Sequence, residues 1–392
     1  MKLLRYSVLT AALLGGTAYQ QQVKAQAAVI DVLGSGVEDA DKLLNAYFRP
    51  FGESFAIGLG QNWYNSAAPL KLLRFNVQVG ASLVMVPTDK QTFDPTALGM
   101  NNLRPLGNSA PTILGPAGDG PGYELSTQDP TNPANRLVID TLNGLTQGLG
   151  LNFMAAPFAQ VNLGLIKGTE VSVRYVPTLD LASLGGGLNG KFGMWGVGVK
   201  HDIKQWIPVV NKLPFSFSGY FNYTKLNFEL GVSLPGPESK RYDAYTPPTG
   251  PGWSPPTVGF DYVGGAAGNY SNQAIAMDAT SMSYGIILSK KLLMFTPYVS
   301  AGMQRATFSL RTAGDYAILS GLKVNGATEP QPGAFREQYR VFNEPINISP
   351  DAINAFRYSV GLRVKLLIFG IHAEYFGVGG FTGVNAGLSL GF

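Results

Sequence analysis

Between Leu73 and Met85 the residues alternate strictly. Leu73, Phe75, Val77, Val79, Ala81, Leu83 and Met85 fall on one face, with Arg74, Asn76, Gln78, Gly80 and Ser82 on the other. A period of two builds a β-strand with one apolar and one polar face, and it excludes a helix, whose apolar positions recur every 3.6 residues. Phe356, Tyr358, Val360, Leu362, Val364 and Leu366 repeat the pattern against Arg357, Ser359, Gly361, Arg363 and Lys365. Such strands fit a soluble sandwich with one solvated face or a membrane barrel. Charge favours the barrel: only 14% of the residues are charged and 45% are hydrophobic, where soluble domains carry roughly 25% charge. A barrel whose outer face meets lipid needs little charge, and no long apolar run, because only alternate residues face that lipid.

The same template finds eleven strand candidates, near 52–63, 73–87, 153–166, 169–177, 190–201, 214–233, 273–288, 293–312, 354–366, 369–376 and 383–392. Two lose phase, near Lys225 and Arg305, at bulges or where a strand leaves the membrane. Short connections at Lys167-Gly168, Ser289 to Leu292 and Leu367-Ile368 alternate with long ones over 88–152, 234–272 and 313–353. Short periplasmic turns opposite long extracellular loops are the topology of an outer-membrane barrel. The expected fold is therefore all-β: a closed antiparallel transmembrane barrel of about 12 strands, within 10 to 14, because such barrels close on even numbers. The missing strand would lie in 88–152.

The N-terminus supports export. Lys2 and Arg5 precede an apolar run from Ser7 to Ala18, and Ala25-Gln26-Ala27 follows as a small-residue cleavage site. These are the parts of a secretory signal peptide, and the run is short of the roughly 20 residues of a spanning helix. The expected organisation is a signal at 1–27, a helical or plug segment at 28–50 and a barrel over 51–392. Loss of Lys2, Arg5 and Lys24 takes the formal charge from +4 to +1, since no acid leaves with them. That balance gives no reason to expect nucleic acid as a partner. The absence of cysteine excludes disulfides and thiolate metal sites.

At the other end, Val384, Ala386, Leu388, Leu390 and Phe392 alternate with Asn385, Gly387, Ser389 and Gly391. Leu388, Leu390 and the terminal Phe392 resemble the signal read by the barrel-assembly machinery, which with outer-membrane lipid is an expected partner. Further motifs are Gly164-Leu-Ile-Lys-Gly-Thr-Glu170 with Val173-Arg-Tyr-Val-Pro177, and Gly196-Val-Gly-Val-Lys-His-Asp-Ile-Lys-Gln-Trp-Ile-Pro208 before Leu213-Pro-Phe215. They resemble an uncharacterised family of Bacteroidota outer-membrane β-barrel proteins over about Asn45 to the C-terminus, and no activity comes with that resemblance. A more distant likeness, of architecture only, is to FadL-type transporter barrels with an N-terminal plug.

In this register Arg74, Arg174, Lys200, Arg363, Lys365, His372 and Glu374 face the lumen, with Arg363 beside His372. Such a basic lumen either stiffens a narrow barrel or selects anions. Ser35-Gly-Val-Glu38 is a capping-box pattern, followed by Val37, Ala40, Leu43, Leu44, Tyr47 and Phe48 at helical spacing. With Asp31, Glu38, Asp39 and Asp41 this helix starts acidic, and its start would be drawn to the basic lumen. If the barrel had eleven strands, the segment would have to cross the lumen to reach a first strand starting at the outer side. A twelfth strand would remove that need. A second helix is expected over Asp202 to Asn211, with Trp206 anchoring it at the membrane interface.

Signals for catalysis and cofactors are weak. The two histidines, His201 and His372, have no metal-ligand spacing. Gly185-Gly-Gly-Leu-Asn-Gly190 fits G-x-G-x-x-G, but no helix pattern follows it, as dinucleotide binding requires. No enzyme activity, cofactor or metal is therefore expected. Three functions stay open, in this order: a channel or transporter for small or hydrophobic solutes, an accessory or scaffolding barrel that binds partner proteins, and an enzyme borne on the loops. A gap in the wall, or a plug with an apolar pocket behind it, would favour transport. A sealed lumen with broad apolar loop tips would favour the scaffold.

Overall fold

The computed structural model describes residues 32, 36–145, 151–180, 189–208, 210–232, 257–263, 268, 272–326 and 334–391. The expected signal peptide, Asp31, Ser35, most of the 185–190 glycine stretch and Phe392 lie outside the described residues.

Ten strands close into a ring in chain order, each antiparallel to its neighbours. They are β1 (Phe75–Met85), β2 (Phe153–Gly164), β3 (Thr169–Asp180), β4 (Gly190–Asp202), β5 (Ser216–Gly231), β6 (Ala274–Ser289), β7 (Phe295–Ala313), β8 (Ile353–Leu366), β9 (Phe369–Val378) and β10 (Phe381–Gly391). Pairing of β1 with β10 seals the ring, with Val79 opposite Leu388. Closure leaves no unpaired edge among these strands, which removes the template for aggregation that an open sheet presents.

The strand count is ten rather than twelve. Within 88–152 the short strands pair among themselves, as Thr92–Phe93 with Ala110–Pro111 and as a sheet of Leu103–Pro105, Tyr123–Gln128 and Arg136–Leu142. None enters the barrel. The strand expected over 52–63 is helix: α1 runs Val37–Leu59. Its second half, from Gly52 to Leu59, is buried on every side. In a helix buried all round, Phe55, Ile57 and Leu59 fit a period of two as well as any other, so periodicity loses its power to discriminate. Similarly, the helix expected over Asp202 to Asn211 is two 3-10 turns, Lys204–Trp206 and Val210–Lys212.

Burial follows the pleat. Val79 is 44% exposed and Leu362 42%, whereas Gln78 is 2% exposed, so the outer face is apolar. Neither phase loss is a bulge, since β5 and β7 pair with both neighbours without a register shift. Lys225 and Arg305 point outward while Leu226 and Ala306 are buried inward. The polarity of the two faces exchanges because the upper lumen, nearer the long loops, is filled by apolar α1. There Phe55, Ile57 and Leu59 pack against Val84, Phe158, Met194, Leu226, Phe308 and Phe376.

Glycines set how closely α1 approaches the wall. A Cβ at Gly58 would stand 2.8 Å from the Ala156 side chain and 3.3 Å from Val84, and one at Gly52 would overlap the Phe308 ring. Gly58→Leu is expected to cost about 1–3 kcal/mol, as overpacking does, read as a lowered urea midpoint in detergent micelles. Gly326→Leu, at a position with nothing within 4 Å of a new Cβ, should leave the midpoint in place.

Candidate functional site

The lumen is occupied by the chain's own N-terminal part. α1 enters from the long-loop end, where Leu43, Leu44 and Tyr47 pack under a cap formed by Leu103, Tyr123, Leu145, Tyr316 and Ile346. From Gly60 to Leu70 an irregular strap continues down to the short-turn end, and the chain turns there into β1.

The direction reverses the expectation from parity. Ten strands put the start of β1 at the short-turn end, beside the end of β10, so strand number does not force a crossing. The segment crosses all the same, from the loop end inward. Its acidic start also lies far from the lumen cations. Asp39 accepts hydrogen bonds from the backbone N–H groups of Asn101, Asn102 and Leu103 at 2.8, 2.5 and 2.9 Å, and Glu38 pairs with Lys42 at 2.8 Å. Burial raises the Asp41 carboxyl above its ordinary range, opposed by a backbone hydrogen bond from Asn347. The helix N-cap is Gly36, with no side-chain capping bond.

A helix that ends inside a barrel leaves its last carbonyls without intrahelical partners. Here the wall supplies them. Gln304 on β7 donates to Ile57 O at 2.8 Å, and Thr224 on β5 donates to Leu59 O at 3.1 Å. Arg174 on β3 donates to Leu59 O at 3.1 Å and Gln61 O at 2.8 Å, and stacks between the Trp63 and Phe158 rings. A cation at a helix C-terminus also suits the helix dipole.

The strap is stapled round the full circumference. Gln160 on β2 donates to Trp63 O at 2.9 Å, Lys200 on β4 to Ser66 O at 3.0 Å, and Ser218 on β5 to Ala67 O at 2.6 Å. Ala67 N donates to Ser289 Oγ of β6 at 2.9 Å, and Leu70 N to Glu170 of β3 at 2.8 Å. Asn62 meets Gln78 of β1, His372 of β9 and the Ala386 carbonyl of β10, while Arg363 of β8 donates to Asn65 at 3.1 Å. Each of the ten strands thus holds helix end or strap.

Two buried ion pairs complete the lower lumen. Lys200 lies 3.1 Å from Glu170, and Arg357 lies 3.1 Å from Glu374. Arg357 also donates to Gln61 Oε1, Tyr220 OH and Ser300 Oγ at 2.8, 3.1 and 2.7 Å.

Of the residues named from sequence, Arg174, Lys200, His372 and Glu374 are buried in this network and Arg363 reaches it from the lower lumen. Lys365 lies half-buried at the short-turn rim. Arg74 is exposed on that rim, because the ladder begins at Phe75 and Lys71 to Arg74 form the turn out of the strap. The sequence reading missed Glu170, Arg357 and the neutral partners Gln61, Asn62, Gln160 and Gln304. Arg357 stood in the inward phase of its strand and was readable there. The strap residues carried no signal, because their partners are set by the fold. Leu388 and Leu390 lie on the outer face of β10. Among the described residues no group of three His, Cys, Asp or Glu is placed to hold a metal.

One comparison spans the whole chain, matching residues 1–392 to a family of unknown function, DUF6588. The chain belongs to that family. Among curated proteins, none matches it. Solved structures to which it is similar include the translocator domain of the autotransporter NalP from Neisseria meningitidis (8% identity, TM-score 0.28, covering 87% of this chain and 93% of that one). Another is the outer-membrane protease OmpT from Escherichia coli (9%, 0.30, 83% and 100%). A FadL homologue from Pseudomonas aeruginosa also matches (10%, 0.20, 87% and 97%). At such scores the likeness carries no argument, so the DUF6588 barrel is read from its own geometry.

Proposed function

We propose that this DUF6588 protein is an outer-membrane β-barrel, closed at rest by its own N-terminal segment, that serves as a channel or transporter for small or hydrophobic solutes. The observation that carries the reading is the strap bound by polar side chains of the wall. A barrel this narrow can be filled by wall side chains alone, yet here a chain segment fills it. Each neutral staple contributes only about 0.5–1.5 kcal/mol net and each charged one about 1.5–3 kcal/mol, and water entering the lumen can replace them, so the strap can leave without stranding the groups it pairs.

Membrane insertion is supported by the exposed apolar belt on every strand, a continuous surface far larger than soluble monomers tolerate. The proposal puts the short turns in the periplasm, with Trp206 at the interface, and gives Leu388, Leu390 and Phe392 to the assembly machinery. It includes no enzyme chemistry. The scaffold reading draws on one feature, the three-stranded sheet of Thr257–Tyr262, Asp315–Val324 and Phe335–Asn343 among the long loops.

A cysteine-free chain allows a clean test. Ser66 Oγ and Ser289 Oγ lie 3.5 Å apart, within reach of a disulfide, so S66C with S289C should lock the strap to β6. In planar bilayers the wild type should open in brief events, the oxidised double variant should stay silent, and reduction should restore the openings. Deletion of residues 36–66 should leave a permanently open pore. Events indifferent to the cross-link, or an inserted deletion variant that conducts nothing, would sink the transport reading.

A further inference from the structure

The ladder between β3 and β4 is interrupted once. Val176 pairs with Met194, but the next pair is Leu179 with Phe192, so Pro177 and Thr178 stand against the single Gly193. Proline has no N–H to give the ladder, and glycine has no side chain to cover the break. A cavity of about 250 Å³ opens here. Its floor is Val176, Phe192, Met194 and Phe228, which belong to or pack against the cluster that seats the end of α1. Its outer lip is formed by Tyr175 and Trp195, and the Trp195 and Tyr223 rings lie 5.4 Å apart.

The height of this cavity on the barrel defines what it meets. On β5 the outward residues Phe221 and Tyr223 give way to Lys225, Asn227 and Glu229, and on β7 Val299 and Met303 give way to Arg305 and Arg311. The change from apolar to charged, marked by aromatic rings, is the boundary between hydrocarbon and headgroups on a membrane barrel. The cavity straddles it. Above the rings its rim carries Lys191 and Glu229, 4.0 Å apart, and Arg311 paired with Asp278. That rim presents donors and acceptors in equal number of charges.

We propose that this breach is a binding site for a single-chain amphiphile with a zwitterionic headgroup. The headgroup pairs with Lys191, Glu229, Asp278 and Arg311, and part of the chain lies on Phe192, Met194 and Phe228. The volume lies below the roughly 300–1,000 Å³ of sites that enclose a whole drug-sized ligand, which fits a molecule whose remaining chain stays in the bilayer. The balanced rim disfavours a purely anionic headgroup, since Glu229 and Asp278 repel it as Lys191 and Arg311 attract it. The site lies against the same side chains that hold the plug, so its occupant touches the element that the proposed function requires to move.

The inference rests on the membrane reading, and the test separates the two. Full-length protein in phosphatidylcholine vesicles is irradiated with two lysophosphatidylcholines, one bearing a diazirine on the first few chain carbons to report the cavity and one near the chain end to report the belt, and adducts are mapped by mass spectrometry. Adducts on Val79 and Leu362 report insertion in lipid. Adducts enriched on Phe192, Met194 and Phe228, lost in Ala276→Trp, which fills the rim, and kept in Ala386→Trp on the far wall, are the expected result. A diazirine fatty acid of equal chain length should enrich these positions less. Belt adducts without enrichment at the cavity, enrichment unchanged by Ala276→Trp, or equal labelling by the fatty acid would overturn the site as proposed. Absence of belt adducts would instead remove the membrane reading beneath it.

Discussion

Arg357→Ala should be the most damaging single change in the lower lumen, lowering stability by about 3–5 kcal/mol, the usual cost of removing one partner of a buried ion pair. Glu374 is 5% exposed, so its carboxylate would keep neutral donors such as Asn385 at 2.8 Å but lose its cation. The loss reaches further than the pair. Gln61, which Arg357 orients through Oε1, is the residue that also meets Gln304 at 2.6 Å and Ile57 O at 3.2 Å. The helix end and the start of the strap would loosen together. Heat-modifiability on unboiled gels and the urea midpoint in micelles both read the effect. Glu374→Gln in the Arg357→Ala background should recover much of it, because the stranded charge is gone. An Arg357→Ala protein as stable as the wild type would show that the pair does not hold the plug.

Val79→Arg is the second large effect. Val79 faces outward between Ala159 and Leu388 on the two neighbouring strands, and a cation there should cost roughly 2–4 kcal/mol if it sits near the bilayer midplane. The expected readout is a fall in the membrane-inserted fraction on refolding into vesicles. Gln78→Arg, on the opposite face of the same strand, is a different kind of lesion. Gln78 is buried and bonds Asn62 O at 3.2 Å and Asn65 at 3.1 Å, and the new cation would join Lys200, Arg174 and Arg363 in the same lumen. That variant should insert normally and yet release the strap, seen as faster proteolysis between Gly60 and Leu70. The same loss of insertion in both variants would show the two faces to be assigned wrongly, because a one-residue slip exchanges them.

The strands were legible because alternation is a local property: Val77, Val79 and Leu83 against Gln78 and Ser82 state which side is which without reference to anything distant. Ten of the eleven strand candidates are barrel strands for that reason. The lumen charges on those strands followed from the same phase, Arg174, Lys200, His372 and Glu374 among them. The rule failed where burial is uniform. From Gly52 to Leu59 no face meets water, so no period is imposed and a helix passed for a strand. It failed again at Lys225 and Arg305, where an apolar plug inside and charge outside inverted the polarity that an empty, watery lumen would have kept.

Local pattern and composition by themselves determined that this chain makes antiparallel strands with one lipid-like face, which residues within those strands point inward, and that a helix precedes them. What only the tertiary structure decided is the route of that helix: in from the loop end, with its acidic start tied to the cap backbone and its last carbonyls given to Arg174, Thr224 and Gln304. The physical reason is the range of the forces involved. A pleat is imposed by neighbouring residues, but a helix terminus buried in a lumen must take its partners from whatever side chains the closed ring brings within hydrogen-bonding distance. Gln61 and Gln304 stand 243 residues apart in the chain, and nothing in either neighbourhood announces the other.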